Sequence, residues 1–304
     1  MLGKQRALLM PLILTCVVLS GIRIAYSDDN SPHSSPPPIK WSKGPMKASL
    51  GSIAKIDVPE GYLFADREGT QKFLELTHNT PSGNELGLIV PQSNQENWFM
   101  TFEFNDIGYV KDEEKDSLDA AKILESLRKN TENANVKRQE KGWKAFHVTG
   151  WHTQPFYDPQ TNNLTWAING AEDQGANPAV NYSVRILGRR GTMSVDLVLD
   201  PNDVGATVPE FKALLNGFRF TEGNRYVDFV KGDNVASYGL TALIAGGATA
   251  VAIKTGLFAK FWKLLVVLFA AILGALKKLW NRVKSAASGE EDLTKMPPSQ
   301  ETKQ

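Results

Sequence analysis

A long apolar segment near the C-terminus constrains this chain more than any other feature. The thirteen residues 264–276 carry no charged or polar side chain, and Trp262 and Trp280 bracket them. Because a helix rises about 1.5 Å per residue, the two tryptophans would lie roughly 27 Å apart, close to the thickness of a bilayer's hydrocarbon core. Tryptophan prefers the two membrane interfaces. The pattern therefore predicts a membrane-spanning helix, most simply over residues 261–280.

A second segment without charge precedes it, over residues 235–253. Ala242, Gly246 and Ala250 follow one another at intervals of four, so on a helix they would share a face of small side chains that allows close helix packing. Residues 235–284 are thus predicted to form a membrane anchor with a basic flank, followed by a disordered polar tail over residues 285–304.

Three membrane topologies are compatible with these two segments. One span through the second segment places the basic flank in the cytoplasm, as the positive-inside rule favours. A hairpin of both segments, or one span through the first segment, would distribute the lysines differently. The soluble alternative is a pair of buried core helices, which the flanking Trp and Lys residues disfavour.

The N-terminus has the pattern of a secretory signal peptide. Lys4 and Arg6 precede an apolar run over residues 7–19, and small residues lead up to a cleavage site before Asp28. Residues 1–27 are therefore predicted to be removed, with an uncleaved signal anchor as the alternative. Residues 28–40, rich in Ser and Pro, are predicted to form a disordered spacer. Because the single cysteine, Cys16, lies in the apolar run, the mature chain would contain no thiol.

Charge is distributed unevenly along the chain. The overall net charge is +1, but residues 28–237 hold 22 basic and 29 acidic residues, a net charge of −7. An acidic globular region repels phosphates, so nucleic acid is not expected as a partner.

The middle of the chain, residues 41–234, has the patterns of one α+β domain. Seven runs rich in aromatic and β-branched residues predict strands, over residues 52–58, 85–90, 98–104, 145–151, 164–169, 181–187 and 193–199. Helical spacing predicts helices from residue 116 or 117 to 129 and over residues 207–218, with a weaker one over 70–76. Strands that outnumber helices in a mixed order favour an antiparallel-rich sheet with packed helices. The order of the helices also resembles a PsbP/Mog1-like α-β-α sandwich.

No catalytic, metal-binding or cofactor motif is present in the sequence. The acidic run over residues 112–116 lacks the Gly and Glu that a calcium loop requires at its sixth and twelfth positions. The four histidines show no metal-ligand spacing, and no phosphate loop or nucleophile elbow occurs. We therefore expect neither a cofactor nor a metal.

Aromatic, amide and arginine residues concentrate in residues 151–190. Aromatic rings can line a pocket with a polar rim, although Asn and Asp in this setting can equally fix a loop. The residues that we single out as candidates for binding a ligand or partner are Trp151, Tyr157, Asp158, Asn163, Trp166, Tyr182, Arg185 and Arg189.

Several blocks of sequence resemble one bacterial family. They are the residues 61–64 (GYLF), 108–112 (GYVKD), 150–151 with Pro155, 157–158, 162–167 (NNLTWA), 181–182, 185–191, 238–240 and 256–260. Together they are similar to the DUF2167 membrane-anchored proteins. The resemblance implies a bacterial envelope protein, anchored in the inner membrane with its domain in the periplasm, and it implies no activity.

Three functions remain as hypotheses from the sequence. The first is a non-enzymatic, membrane-tethered binding module whose partners are the lipid bilayer and another membrane or envelope protein. The second is an envelope hydrolase that acts on glycans or esters through acidic residues or His152. The third is an accessory subunit that docks in the membrane through Ala242, Gly246 and Ala250.

Overall fold

The structure is a computed structural model that describes residues 39–93 and 96–246. Its strands are β1 (Ser42–Lys43), β2 (Met46–Leu50), β3 (Ala54–Val58), β4 (Tyr62–Asp66), β5 (Glu85–Pro91), β6 (Trp98–Asn105), β7 (Phe146–Asp158), β8 (Asn163–Glu172), β9 (Ala179–Leu187), β10 (Thr192–Leu199) and β11 (Phe218–Phe220). Its helices are α1 (Arg67–Leu76), α2 (Ala120–Glu140), α3 (Val204–Leu215) and α4 (Leu240–Ala245).

Within the described residues, eight strands form one antiparallel sheet in the order β1-β4-β5-β6-β10-β9-β8-β7. A smaller antiparallel sheet has the order β11-β3-β2. Short connections link most neighbouring strands, so sequence neighbours also pair in space. The eight strands of the long sheet are hydrogen-bonded one to the next from β1 to β7.

One face of the long sheet packs against the small sheet and α3. Alternation in β6 turns Trp98, Met100 and Phe102 toward this side, where Phe211 of α3 and Ile56 of β3 meet them. These residues are nearly inaccessible to solvent. Burial of this apolar surface is the main driving force for joining the two sheets.

The opposite face carries two separate apolar clusters beneath helices. Under α1, Leu74 packs with Leu88 and Phe99. The second core lies under α2 and α4, where Ile123 and Leu127 pack against residues of β8 and against Leu243. The domain thus has helices on both faces of a mainly antiparallel sheet, which confirms the predicted mixed α and β fold.

Two helices on this face begin at aspartate caps. The Asp66 carboxylate accepts a hydrogen bond from the Gly69 amide (3.0 Å) at the start of α1, and Asp119 accepts one from the Lys122 amide (3.1 Å) at the start of α2. Each cap satisfies an amide that has no partner within its helix. The Asp119 cap explains why α2 starts at Ala120, three or four residues later than predicted.

The predicted strands and helices are present, with corrected boundaries. Helix α2 ends at Glu140 rather than near residue 129, and α3 begins at Val204 rather than at residue 207. Asp200 caps a short turn that leads directly into α3, so Pro209 lies inside the helix and not in its first turn. The sequence patterns missed β1, β2, β4 and β11, because each is five residues or shorter and carries only a weak alternation.

The C-terminal end of the described chain belongs to the folded domain and not to the predicted anchor. Leu240, Leu243 and Ile244 are buried in the second core, and Ala242 is also buried. Helix α4 stops at Gly246, whose left-handed backbone (φ +86°) ends the helix, so Ala242 and Gly246 do not lie on one continuous helix face. Apolar residues beyond the predicted domain boundary at residue 234 therefore contribute to this core.

In the part of the chain that the structure describes, no helix has the length and hydrophobicity required to cross a bilayer. The predicted span, with Ala250, Trp262 and Trp280, lies outside the described residues. The predicted signal peptide, most of the predicted spacer and the polar tail also lie outside them.

Candidate functional site

Both tryptophans that were predicted to bind a ligand pack in the second core or against it. Trp166 is 1% exposed and Trp151 is partly buried against the same cluster. The indole N–H of Trp151 donates to the Ala120 carbonyl (3.1 Å) at the start of α2. Tyr157 also packs on this cluster, and its hydroxyl donates to Asn162 (3.2 Å). These side chains therefore join α2 to β7 and β8.

Asp158 and Asn163 define the turn between β7 and β8. The Asp158 carboxylate accepts bonds from the Gln160 amide (2.9 Å) and the Thr161 hydroxyl (2.8 Å). These bonds lower the pKa of Asp158, with the Thr161 hydroxyl as the larger cause. Asn163 begins β8, and its buried Oδ1 has no hydrogen-bond partner among the described residues. A carboxylate used this way fixes a turn, as its residue type favours.

The other three predicted residues lie in different places. Tyr182 is buried in the first core, where its ring meets the edge of Phe211. Arg189, in the turn after β9, forms two hydrogen bonds with Asp233 (2.7 and 2.8 Å). Arg185 lies on the helix-covered face of the long sheet, with its guanidinium over the Trp166 ring (4.8 Å). The eight candidates thus do not form one common surface.

Arg185 leads to a polar strip that the sequence reading missed. The strip lies on the central strands β6, β10 and β9. Helix α1 packs on β5 to one side of these strands, and helix α2 packs on β7 to the other side. Strand register aligns Ser194 with Glu103 on one side and Arg185 on the other, and Asp196 with Thr101 and Ser183. The strip is defined here as Thr101, Glu103, Asn181, Ser183, Arg185, Ser194 and Asp196.

Asp196 is held at the centre of the strip. The Ser183 hydroxyl (2.5 Å) and the Arg185 guanidinium (3.0 Å) both donate to its Oδ1. The side chains of Arg185 and Asp196 are 8% and 18% exposed. A charge pair with little access to water needs these direct partners, because removing either would leave the other charge uncompensated.

Glu103 shares a serine with Glu85 at the edge of the strip. The Ser82 hydroxyl lies 3.0 Å from a carboxylate oxygen of each residue. Glu85 is fully buried and also accepts from the Ser82 and Gly83 amides and from Gln71. The hydroxyl is within donating distance of both carboxylates, but its single proton can serve only one of them at a time.

The pKa of Glu103 is raised to about 7, chiefly because its carboxyl loses contact with water; the nearby charges of Asp196 and Glu85 also raise it, while Ser82 and Arg185 act in the opposite direction. The strip and its edge contain three carboxyl groups and one arginine. Because its pKa is about 7, Glu103 changes its charge near neutral pH, as acid–base groups in functional sites commonly do.

The side-chain oxygen of Asn181 is a further hydrogen-bond acceptor in the strip. Asn181 is 6% exposed, and its Oδ1 has no hydrogen-bond partner among the described residues. An acceptor buried in this way usually has a protein, water or ligand partner. Together with Glu103 and Asp196, it makes the strip a place where hydrogen-bond donors or a positive charge would be stabilised.

Histidine contributes to a separate group of side chains at the edge of the sheet. The two ring nitrogens of His147 lie 2.8 Å from Glu132 of α2 and 2.9 Å from Asp173, just after β8. Hydrogen bonds with Asp173 and Glu132 raise the pKa of His147. Among the described residues, no three His, Cys, Asp or Glu side chains are arranged to hold a metal ion. We interpret this group as a hydrogen-bonded link between α2 and the sheet.

The strip had a detectable signal in the sequence. In β6 and β9, polar residues occupy every second position and apolar residues the positions between, as in Asn181, Ser183 and Arg185. The same alternation occurs in β10 at Ser194 and Asp196. Alternation in one strand is ordinary, but polar alternation in three neighbouring strands predicts a polar stripe across a sheet. The pairing of the strands, which the sequence did not reveal, was needed to recognise it.

Comparison with protein families adds an identification. The profile of a family described as a protein of unknown function, DUF2167, matches residues 42–277. The chain belongs to the DUF2167 family. This confirms the resemblance carried by the sequence blocks, and the match extends from the described DUF2167 fold into the apolar segment beyond residue 246.

Comparisons with individual proteins add little to the family assignment. No curated protein matches this DUF2167 chain. Among solved structures, it is similar to the solution structure of cyanobacterial PsbP (CyanoP) from Synechocystis sp. PCC 6803, with 10% identity and a TM-score of 0.35, over 64% of this chain and 98% of that one. A similarity at this level carries no conclusion about the DUF2167 chain.

Proposed function

We propose that this chain is a binding module tethered to a bacterial membrane, with its domain outside the cytoplasm, and that the polar strip receives the ligand. The signal-like N-terminus and the apolar segment between Trp262 and Trp280 support the tether and the compartment. The observation that supports binding is the strip itself, which places an excess of acceptors on the central strands of the sheet.

The chemistry of the strip defines the class of ligand. Glu103 and Asp196 are partly exposed, whereas Arg185 is buried, lies over the Trp166 ring and is already paired with Asp196. The free acceptor of Asn181 lies on the same face. A ligand that carries ammonium groups, such as an amino sugar or a polyamine, would supply N–H donors and positive charge to the Glu103 carboxylate and the Asn181 oxygen.

The contacts of the serines favour binding over nucleophilic catalysis. Ser183 donates to Asp196, and Ser194 accepts from Asn105 (3.0 Å). A serine nucleophile requires a general base within hydrogen-bond reach, and the base is usually a histidine. Among the described residues, neither serine is hydrogen-bonded to a histidine, so the strip does not present an acyl-transfer centre.

Binding can be tested with defined probes. Glucosamine and spermidine would be titrated against the full chain in detergent by calorimetry, with N-acetylglucosamine as the uncharged comparison. We expect saturable binding of at least one amine probe and a loss of about tenfold in Glu103→Gln, equivalent to about 1.4 kcal/mol. Glu125→Gln, an exposed glutamate on α2, is the matched control and should bind normally. Binding that is equal in both variants, or absent throughout, would reject this assignment.

A hydrolase is the second candidate, favoured by one observation. Glu103 has a pKa of about 7 and interacts electrostatically with Asp196. A carboxyl with a raised pKa that lies near a second carboxyl is a feature that glycoside hydrolases use for their general acid. Glu103 would then be the general acid, in place of His152, which is exposed on β7.

The hydrolase is tested by turnover of chromogenic amino-sugar glycosides and esters at pH 6. Activity that disappears in Glu103→Gln but survives in His152→Gln would establish it. Turnover no faster than in buffer would leave binding as the function of the strip.

A further inference from the structure

Exposed apolar side chains concentrate in one loop of the domain, over residues 225–236. Six large hydrophobic side chains are strongly exposed among the described residues, and three of them lie within nine positions of this loop. They are Val227, Val230 and Val235, with exposed fractions of 76%, 51% and 41%. The other three lie on separate elements. Clustered apolar exposure marks an interaction surface, whereas single exposed residues do not.

The loop is held in a defined shape by aromatic stacking. The Tyr109 ring stacks on Tyr226 (4.5 Å between centroids) and lies 4.1 Å from Phe229. Backbone bonds join Tyr109 to Asn234 (2.8 Å) and Ala236 (2.9 Å) on the other side of the loop. The valines are therefore presented to solvent by a loop fixed at both ends and not by a loose segment.

The negative charges of the loop are all neutralised. Asp228 pairs with Arg225, and Asp233 pairs with Arg189, which lowers the pKa of Asp233 to about 2. Lys231 is exposed and leaves a surplus positive charge beside the valines. Apolar side chains with a basic residue and no unpaired acid suit the surface of an anionic membrane.

The position of the loop in the chain selects the occupant. Tyr226 and Ala236 pack on the second core together with Leu240 of α4. The loop is thus adjacent to α4. Only eighteen residues separate the end of α4 from the apolar segment 264–276, which is predicted to enter the bilayer. Because the chain after α4 leads into this segment, a lipid surface is the occupant that the sequence favours for the loop.

We infer that the 225–236 loop rests on the lipid surface, with Val227 and Val230 in the interfacial layer and Lys231 near anionic headgroups. This inference rests on the tether proposed above. It adds an orientation, because it fixes which face of the domain is directed toward the membrane.

Single cysteines can report the depth of the loop. With Cys16 replaced by serine the chain has no other thiol, so a fluorescent NBD label can be attached at Val227→Cys or Val230→Cys. The full chain would be placed in vesicles of phosphatidylethanolamine and phosphatidylglycerol that contain doxyl-labelled lipid. We expect the loop labels to be quenched severalfold more strongly by the lipid than by aqueous iodide.

The matched control is Val136→Cys on α2, because Val136 is 57% exposed, comparable to Val230. Its label should be quenched mainly by iodide. Equal lipid quenching at 136, 227 and 230, or loop labels that stay aqueous, would overturn the inference. Flotation of the vesicles separates the two claims: a chain that floats with aqueous loop labels keeps its tether and loses only this orientation, whereas one that does not float loses both.

Lys231→Glu provides a second measurement that leaves the valines in place. We expect it to weaken lipid quenching of the 227 label in anionic vesicles and to have little effect in purely zwitterionic ones. Lys129→Glu, at an exposed position on α2, should change neither. Identical quenching in the Lys231→Glu chain and its parent would contradict the headgroup contact.

Discussion

At the scale of single residues, Glu103 links stability to pH. Its pKa rises from the ordinary 4.5 to about 7 on folding, chiefly because the partly exposed carboxyl loses much of its contact with water. Between these two values the folded chain binds more protons than the unfolded chain, so the free energy of unfolding should fall as the pH rises through this window.

Glu103→Gln should remove this contribution, since glutamine does not titrate. We expect the variant and the parent to be similarly stable at pH 4.5, and the variant to be more stable at pH 8 by up to about 3 kcal/mol. Urea unfolding followed by tryptophan fluorescence at both pH values measures the difference. Parallel pH profiles would show that Glu103 titrates normally.

Arg185 is the residue whose loss should harm the polar strip most. Arg185→Leu removes the partner of Asp196 and the cation over the Trp166 ring, so we expect a loss of about 3 kcal/mol in the free energy of unfolding. Arg190→Leu, which breaks an exposed pair with Asp106, should cost under about 1 kcal/mol. Chemical unfolding of the two variants side by side checks the contrast, and equal losses would refute it.

Residue types alone predicted where unusual side chains concentrate but not what they do. Asp158 and Arg189 were candidates for binding, and both hold turns or loops through hydrogen bonds to nearby groups. Glu103 was not a candidate, because its environment depends on Glu85 and Asp196, which lie far from it in sequence. The pKa of a buried group is set by such neighbours, and these become known only when the strands pair.

At the scale of elements, the turn between β9 and β10 depends on close backbone approach. A Cβ placed on Gly191 would lie 1.9 Å from the Asn105 carbonyl oxygen, a backbone atom that cannot move aside without shifting β6. Gly150 in β7, by contrast, has no atom within 4 Å of such a Cβ. Replacement of glycine by alanine should therefore reduce the stability of the domain much more at Gly191 than at Gly150.

Gly191→Ala should destabilise the domain by about 2 kcal/mol or more, as overpacking in rigid surroundings does. Gly150→Ala should change stability by less than about 0.5 kcal/mol. Thermal unfolding of the two variants provides the measurement. If Gly191→Ala is tolerated as well as Gly150→Ala, the close contact between the turn and β6 is absent.

Periodicity predicted the elements well where a run was long. The alternation of Trp98, Met100 and Phe102 placed β6 correctly, because one of its faces is wholly apolar. Boundaries were less predictable, since α2 extends eleven residues beyond its predicted end, over a stretch rich in polar residues. Hydrogen bonds to other parts of the fold, such as those between the Asn135 side chain and the Phe146 backbone, hold this part of the helix. Contacts of this kind leave no periodic signal.

At the scale of the whole molecule, the fold class followed from counting strands and helices, but the arrangement of layers did not. The small sheet of β2, β3 and β11 joins strands that are about 160 residues apart in sequence. The apolar residues 240–245 were assigned to an anchor because hydrophobicity alone does not distinguish a core helix from a membrane helix. In the structure, Leu240, Leu243 and Ile244 pack with residues of α2 in the second core.

The central claim is that the domain lies outside the cytoplasm on a membrane tether, and labelling of single cysteines tests it most directly. In a Cys16→Ser background, Val136→Cys reports on the domain and Ser288→Cys on the basic C-terminal side. A membrane-impermeant maleimide would be added to spheroplasts before and after permeabilisation. The account predicts that the membrane fraction contains a chain labelled at 136 in intact spheroplasts and at 288 only after permeabilisation. Labelling at 136 only after permeabilisation, or a chain recovered in the supernatant without detergent, would contradict it.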